Sequence, residues 1–339
     1  MRKIKFIENG KMKKSKYLFL FFLVLSSLVF ISEKTAYAQD PEFTQFYSNP
    51  IYLNPAFAGT ARCPRFVMNY RNQWPALSGT FVTYSASYDQ HFDALQGGLG
   101  LMVYNDKAGE GTLTTTNISG MYAYQLNINR QFSIRAAVQG SYIQKKIDWA
   151  KFVFGDMIDP RYGFLYNTAE TQPPDKAYSD FSAGLLAYSA KIYGGLAVHH
   201  LTQPREGFYN TPNDQLPMKI TVHAGALIPL EKGRNSSTYI SPNILYQQQK
   251  KFQQLNLGLY INRGPLVGGL WYRFVFGNSD AAIVLIGIQQ GIFKFGYSYD
   301  LTVSKLAAAS SGSHEFSFAM QLECKPKTKK FRSISCPSF

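Results

Sequence analysis

The sequence predicts an all-β fold, a transmembrane antiparallel β-barrel of about 14 strands (12–16), and three observations carry that reading. Polar and apolar residues alternate with period two from about residue 65 to residue 322, the side-chain period of a half-buried strand. The connections also sort by length. Tight ones (127–130, 189–191, 262–265, 289–291) follow even-numbered strands, and long segments (105–115, 146–179, 201–217, 300–312) follow odd-numbered ones, which gathers every long loop at one end. Finally, the 339 residues hold 23 Tyr and 26 Phe, with 45% hydrophobic and 17% charged residues: rich in strand formers, and short of the charge of a disordered chain. In hydrocarbon every backbone N–H and C=O must be paired within the protein, and only a closed sheet has no edge. The competing reading is a soluble exported β-sandwich whose aromatics fill an inner core.

Taken in order, residues 1–38 read as a signal peptide: a basic stretch from Arg2 to Lys16, an apolar run from Tyr17 to Ile31 and the small-residue site Ala36-Tyr37-Ala38. That run is short for a membrane span, so export to the outer membrane is expected. Residues 39–64 hold prolines and glycine without a strand pattern and either fold into the lumen as a plug, lie at the periplasmic mouth, or form a simple leader into the first strand. Residues 65–322 form the barrel, with strands beginning near 65, 80, 97, 116, 131, 180, 191, 218, 238, 253, 265, 281, 291 and 313. Phe66, Met68 and Tyr70 alternate with Val67, Asn69 and Arg71, and Val82, Tyr84, Ala86 and Tyr88 with Thr83, Ser85 and Ser87. Trp74, Tyr88, Tyr104, Tyr124, Trp271, Tyr272 and Tyr299 are candidates for interfacial girdles. Residues 323–339 make a basic tail, periplasmic for an even strand number, in which Cys324 and Cys336 are a candidate disulfide.

Charge removes one class of function. The formal net charge is +14; residues 1–38 carry eight basic and two acidic residues, so the remainder carries +8, half of it in the tail. A body so nearly balanced lacks the basic face that nucleic acid requires, and no nucleic-acid partner is expected.

Catalysis and metal binding find no support either. His199 and His200 are adjacent on a predicted strand and so point to opposite faces, and His223 faces the lumen as an interior hydrogen-bonding group. Motifs of the GxSxG, SxxK, HExxH and CxxC kinds are missing, so neither an enzyme nor a cofactor or metal site is expected. Lumen-facing Arg71, Arg135, Lys145, Arg273 and Lys294 either pair with carboxylates such as Asp89 and Glu315 or bias a pore toward anions.

A set of boxes in order carries a resemblance: Gln39-Asp40-Pro41 with Gln45-Phe46-Tyr47, Asn54-Pro55-Ala56-Phe57-Ala58-Gly59, and Tyr70-Arg71-Asn72-Gln73-Trp74-Pro75. His200-Leu201-Thr202-Gln203-Pro204, Leu270-Trp271-Tyr272-Arg273, Gly296-Tyr297-Ser298-Tyr299-Asp300, Gly312-Ser313-His314-Glu315 and the ending Cys336-Pro337-Ser338-Phe339 follow. The chain resembles the PorP/SprF family of the Bacteroidetes type IX secretion system over nearly all of residues 39–339. The resemblance implies a non-enzymatic outer-membrane barrel that assists secretion or surface attachment of large substrates, gliding adhesins among them. Its implied partners are a substrate with a C-terminal sorting domain, the type IX translocon with its periplasmic components, and outer-membrane lipid. The alternative is a channel or porin for small solutes or hydrophobic molecules. Trp149, Phe152, Phe154, Phe164, Tyr166, Phe208 and Tyr209 in the long loops are either anchors for the substrate or packing between loops.

Overall fold

The computed structural model describes residues 40–129, 131–209, 214–231, 238–276, 278–303 and 311–323, and everything below lies in the compact unit Pro41–Phe339. Fourteen antiparallel strands form a closed barrel. They are β1 (Arg65–Gln73), β2 (Phe81–Phe92), β3 (Gly97–Ala108), β4 (Leu113–Asn127), β5 (Phe132–Ile147), β6 (Lys176–Ser189) and β7 (Ile192–His199). Then come β8 (Lys219–Ala226), β9 (Thr238–Gln249), β10 (Phe252–Arg263), β11 (Leu266–Val275), β12 (Asn278–Gln290), β13 (Phe293–Thr302) and β14 (Ser313–Gln321). Each pairs with its sequence neighbour, and β1 pairs with β14 from Arg65↔Gln321 to Gln73↔Ser313, so the sheet has no free edge. Leu322 N donates to Pro64 O at 2.9 Å, extending that seam beyond both strands.

The period-two pattern sets what each face meets. Leu101, Val138, Leu270 and Ile286 point outward and are 62–63% exposed, whereas Asn69, Ser85, Ser119, Gln139 and Ser182 point inward and are buried. An apolar outer wall over a polar inner one is the inverse of a soluble sandwich, and it suits hydrocarbon outside. Strands of 15 and 16 residues (β4, β5) exceed the 9–11 or so that a tilted strand needs to cross a bilayer, so they project past it.

Three expectations change. Segment 105–115 is not a long loop, because β3 and β4 keep pairing to Ala108↔Leu113. The long connections do not all share one end: residues 227–237 join β8 to β9 at the otherwise short-turn end, while the opposite end includes tight connections at 250–251 and 276–277. Tyr104 and Trp271 are not girdle residues; both point inward, 9% and 3% exposed, because their parity places them among the residues that fill the lumen.

What fills it is the irregular segment before β1. Residues 43–60 are buried inside the barrel, Tyr52 alone being half-buried, so this stretch is not a simple leader. Its local form follows from its prolines. Pro50 opens a one-turn helix, Pro50–Leu53, and Pro55 opens a 3-10 turn, Pro55–Phe57, each supplying the fixed φ of a first helical position where no N–H bond is lost. Asn54 caps the second turn, its side-chain oxygen accepting from Ala56 N at 2.9 Å. Phe46, Tyr47, Leu53 and Phe57 pack into one cluster with inward-facing Trp271, Tyr260, Leu245 and Leu285, so this barrel carries an apolar core where a pore has water.

Cys63, just before β1, is disulfide-bonded. Cys324, Cys336, the rest of the tail after Glu323 and residues 1–38 lie outside the described residues.

Candidate functional site

Three sets of polar side chains pin the inner segment to the barrel wall, and most of the sequence boxes converge on them. The first set sits on β1, β11, β13 and β14. Glu315, fully buried, accepts from Thr44 N (2.6 Å), Thr44 Oγ1 (2.8 Å) and Gln45 N (3.1 Å). Gln45 returns the bond through Nε2 to Glu315 O at 2.9 Å, and Ser317 Oγ donates to Gln45 Oε1 at 2.5 Å. Arg71 bridges Glu315 (3.3 Å) and Asp300 (2.9 Å) and donates to the Thr44 hydroxyl, while Arg273 donates to Asp300 at 3.0 Å. Two guanidinium groups thus face two carboxylates, which is how charges persist out of contact with bulk water.

A second set lies on β1, β2 and β5. Asp89 takes a two-pronged ion pair from Arg65 (2.8 and 3.0 Å) and accepts Gly59 N at 2.7 Å, and Arg135 donates to Ala58 O at 2.5 Å. Gly59 has φ +72° and lies against Gly98, where a side chain on either residue would strike backbone. The third set joins β6, β7 and β8: Asn54 Nδ2 donates to Leu185 O (3.1 Å) and Leu196 O (3.3 Å) and lies 3.2 Å from His223 Nε2. Pro55 packs beside Gly184. Asn54→Ala strips two carbonyls of a buried donor and should cost about 1–3 kcal/mol, read as a lower urea midpoint of the refolded barrel.

The remaining box residues lie nearer the long-loop end. Gln73 ends β1, and Trp74, at φ +58°, bonds Gly312 O through its N–H at 3.0 Å and packs on Phe81. His314 points outward and pairs through Nδ1 with Tyr297 OH at 2.9 Å. His200 is not on a strand, as expected, but one residue beyond β7 at φ +59°, which turns its ring to Asp180 (Nδ1 to Oδ2, 2.8 Å). Thr202 Oγ1 donates to the same carboxylate at 2.8 Å, and Pro204 O accepts Leu216 N at 2.9 Å, so the box fixes the base of the loop over 200–218. Lys145 pairs with Glu206 of that loop.

The loop aromatics divide. Trp149, Phe152 and Phe154 pack on one another with ring centroids 4.9–6.0 Å apart. Phe164 and Tyr166 lie at and just beyond a short hairpin, Ile158–Asp159 with Gly163–Phe164, and are 67% and 56% exposed; Tyr162 at its tip is 75% exposed. In the second loop Tyr209 is 72% exposed and Phe208 is half-buried. Sequence reasoning passed over Thr44, Asp180 and Tyr162, and it offered Asp89 as a partner for lumen cations without naming Arg65.

The fold and its contents define a class: an outer-membrane β-barrel with an occupied lumen and enlarged loops at one end. Among solved structures the chain is similar to the Acinetobacter baumannii outer membrane protein Omp33 (6% identity, covering 77% of this chain and all of that one, TM-score 0.44). It is also similar to a deletion mutant of TodX, a monoaromatic hydrocarbon channel (9%, 78% and 90%, 0.43), and to the KdgM porin (10%, 76% and 99%, 0.34). A search of curated proteins finds no match. The profile for the type IX secretion system membrane protein PorP/SprF matches residues 35–320, and the chain belongs to that family.

Proposed function

We propose that this protein is a non-enzymatic outer-membrane component of the type IX secretion system that holds a large secreted substrate at the cell surface through its long loops. The observation that carries this reading is the contrast between the two parts of the barrel. The lumen is occupied by residues 43–60 and tied at three places, while the loop over 148–175 presents Tyr162, Phe164 and Tyr166 outward. Exposed aromatics clustered on a folded loop suit the buried anchors of an interface, because they bring large area at low entropic cost. In this reading the short-turn end faces the periplasm and the translocon, and the long-loop end meets the sorting domain of the substrate.

The experiment is purification of the tagged protein from its native outer membrane in mild detergent, with bound partners quantified by mass spectrometry. Recovery of a large surface protein in near-equal amount supports the reading. The triple change Tyr162→Ser, Phe164→Ser and Tyr166→Ser should reduce that recovery at least tenfold, since hot-spot truncations cost about 2 kcal/mol or more each. Unchanged recovery from a correctly folded triple variant would overturn the loop assignment. Recovery of the barrel alone, together with steady small-solute conductance in planar bilayers, would favour the channel.

A further inference from the structure

The outer wall is not a uniform convex cylinder. Outward-facing residues of eight strands, β1–β3 and β10–β14, line a hollow of about 1090 Å³ on the membrane side. Its floor is aromatic: Phe295 and Phe318 lie 5.0 Å apart, Tyr297 and Phe316 4.9 Å, and Tyr70 and Tyr84 5.1 Å between ring centroids. The inner face of the same strands explains the dish. Gly296 and Ser317 leave so little between wall and lumen contents that a Cβ on Gly296 would stand 2.7 Å from Gln45 Oε1. The bonds from Gln45 to Glu315 and Ser317 draw this part of the wall against the inner segment, and the hollow outside is the other side of that approach.

We propose that the hollow is a lipid site, filled by the acyl chains of one anionic diacyl phospholipid whose phosphate lies against Arg263. A hollow facing hydrocarbon is always filled, because an unfilled one forfeits the dispersion contacts of its whole lining. The floor is a pavement of rings held by the sheet, so the occupant must be the deformable member, and a hydrocarbon chain is. A peptide would need partners for its backbone, whereas the lining is nearly all apolar and the Tyr297 hydroxyl is already bonded to His314. Arg263 supplies the charge. It ends β10 beside the turn at 264–265, is exposed, and lies on the rim of the hollow at the short-turn end, where the headgroups of that leaflet stand. A guanidinium offers a phosphate two parallel N–H donors.

The test uses the full-length protein, purified in mild detergent and taken through delipidation, with phospholipid per barrel counted by native mass spectrometry. The parent should retain phospholipid under conditions where bulk lipid is stripped. Arg263→Gln should lower that occupancy about tenfold, the loss of one charge-assisted contact. Gly268→Leu should abolish it: Gly268 lines the hollow, and a Cβ there meets nothing within 4 Å, so the longer side chain grows into the space and not into the wall. Heat-modified gel mobility identifies folded barrels, and occupancy is compared among those. The proposal is overturned if no phospholipid survives delipidation, or if Gly268→Leu leaves the count unchanged. It is equally overturned if the tightly held species is a lipopolysaccharide or a membrane protein that Gly268→Leu releases. None of these outcomes bears on which substrate the loops hold.

Discussion

Glu315→Ala will destabilise the barrel by roughly 3–5 kcal/mol, the cost of leaving a buried charge without its partner. Glu315 is fully buried and accepts two backbone N–H groups, the Thr44 hydroxyl and Arg71 at once. Its removal orphans the two backbone N–H groups and the Thr44 hydroxyl and leaves two guanidinium groups sharing Asp300. The change should appear as a lower urea midpoint and as loss of heat-modifiable gel mobility at a lower temperature. Glu315→Gln keeps an acceptor for one or two donors and should fall between the parent and the alanine variant. Equal midpoints for all three would mean that the inner segment is held by its apolar contacts alone.

Gly98→Val should dislodge the inner segment from the wall. A Cβ at this position would stand 2.1 Å from Ala58 O and 2.7 Å from Gly59 Cα, both backbone atoms that no rotamer can move. The expected readout is ion conductance in planar bilayers, low for the parent and at least tenfold higher for Gly98→Val, with the barrel still folded by gel mobility. Gly120→Ala is the matched control: it faces outward, its Cβ would meet Leu101 Cδ2 at an ordinary 3.8 Å, and its effect should stay within about 0.5 kcal/mol. A Gly98→Val barrel that conducts no better than the parent would show that contacts elsewhere suffice to hold the lumen occupied.

Much of the barrel is legible in the sequence because lipid imposes a rule on every strand. Phe66, Met68 and Tyr70 face hydrocarbon, Asn69 and Arg71 do not, and the expected strand starts lie within four residues of the observed ones. The lumen contents are harder to read, since nothing periodic marks residues 39–64. A signal does exist. In β12 both parities are apolar, Ile283 and Leu285 inward against Val284 and Ile286 outward, and a lumen wall that is apolar on its inner face must pack on something. Together with Leu245, Tyr260 and Trp271, that doubling marks an apolar core in the strands themselves. Arg71 stands among the lumen cations expected to pair with Glu315, and it does; Thr44 was not legible, since it lies 271 positions away and bonds as much through its backbone N–H as through its side chain. Arg71, Asp300 and Glu315 could be selected from the boxes in which they stand, while their convergence on one cluster is a matter of register around a closed sheet.

The inner segment precedes β1, yet its bonds reach β2, β5, β6, β7 and β14, so the last strand made must close over a stretch of chain laid down first. Contacts of such sequence separation are slow to form, because loop-closure entropy is spent before they reward it. The wall contacts of the segment are therefore complete only once β14 has met β1, so the lining of the lumen and the closure of the sheet are joined in one event.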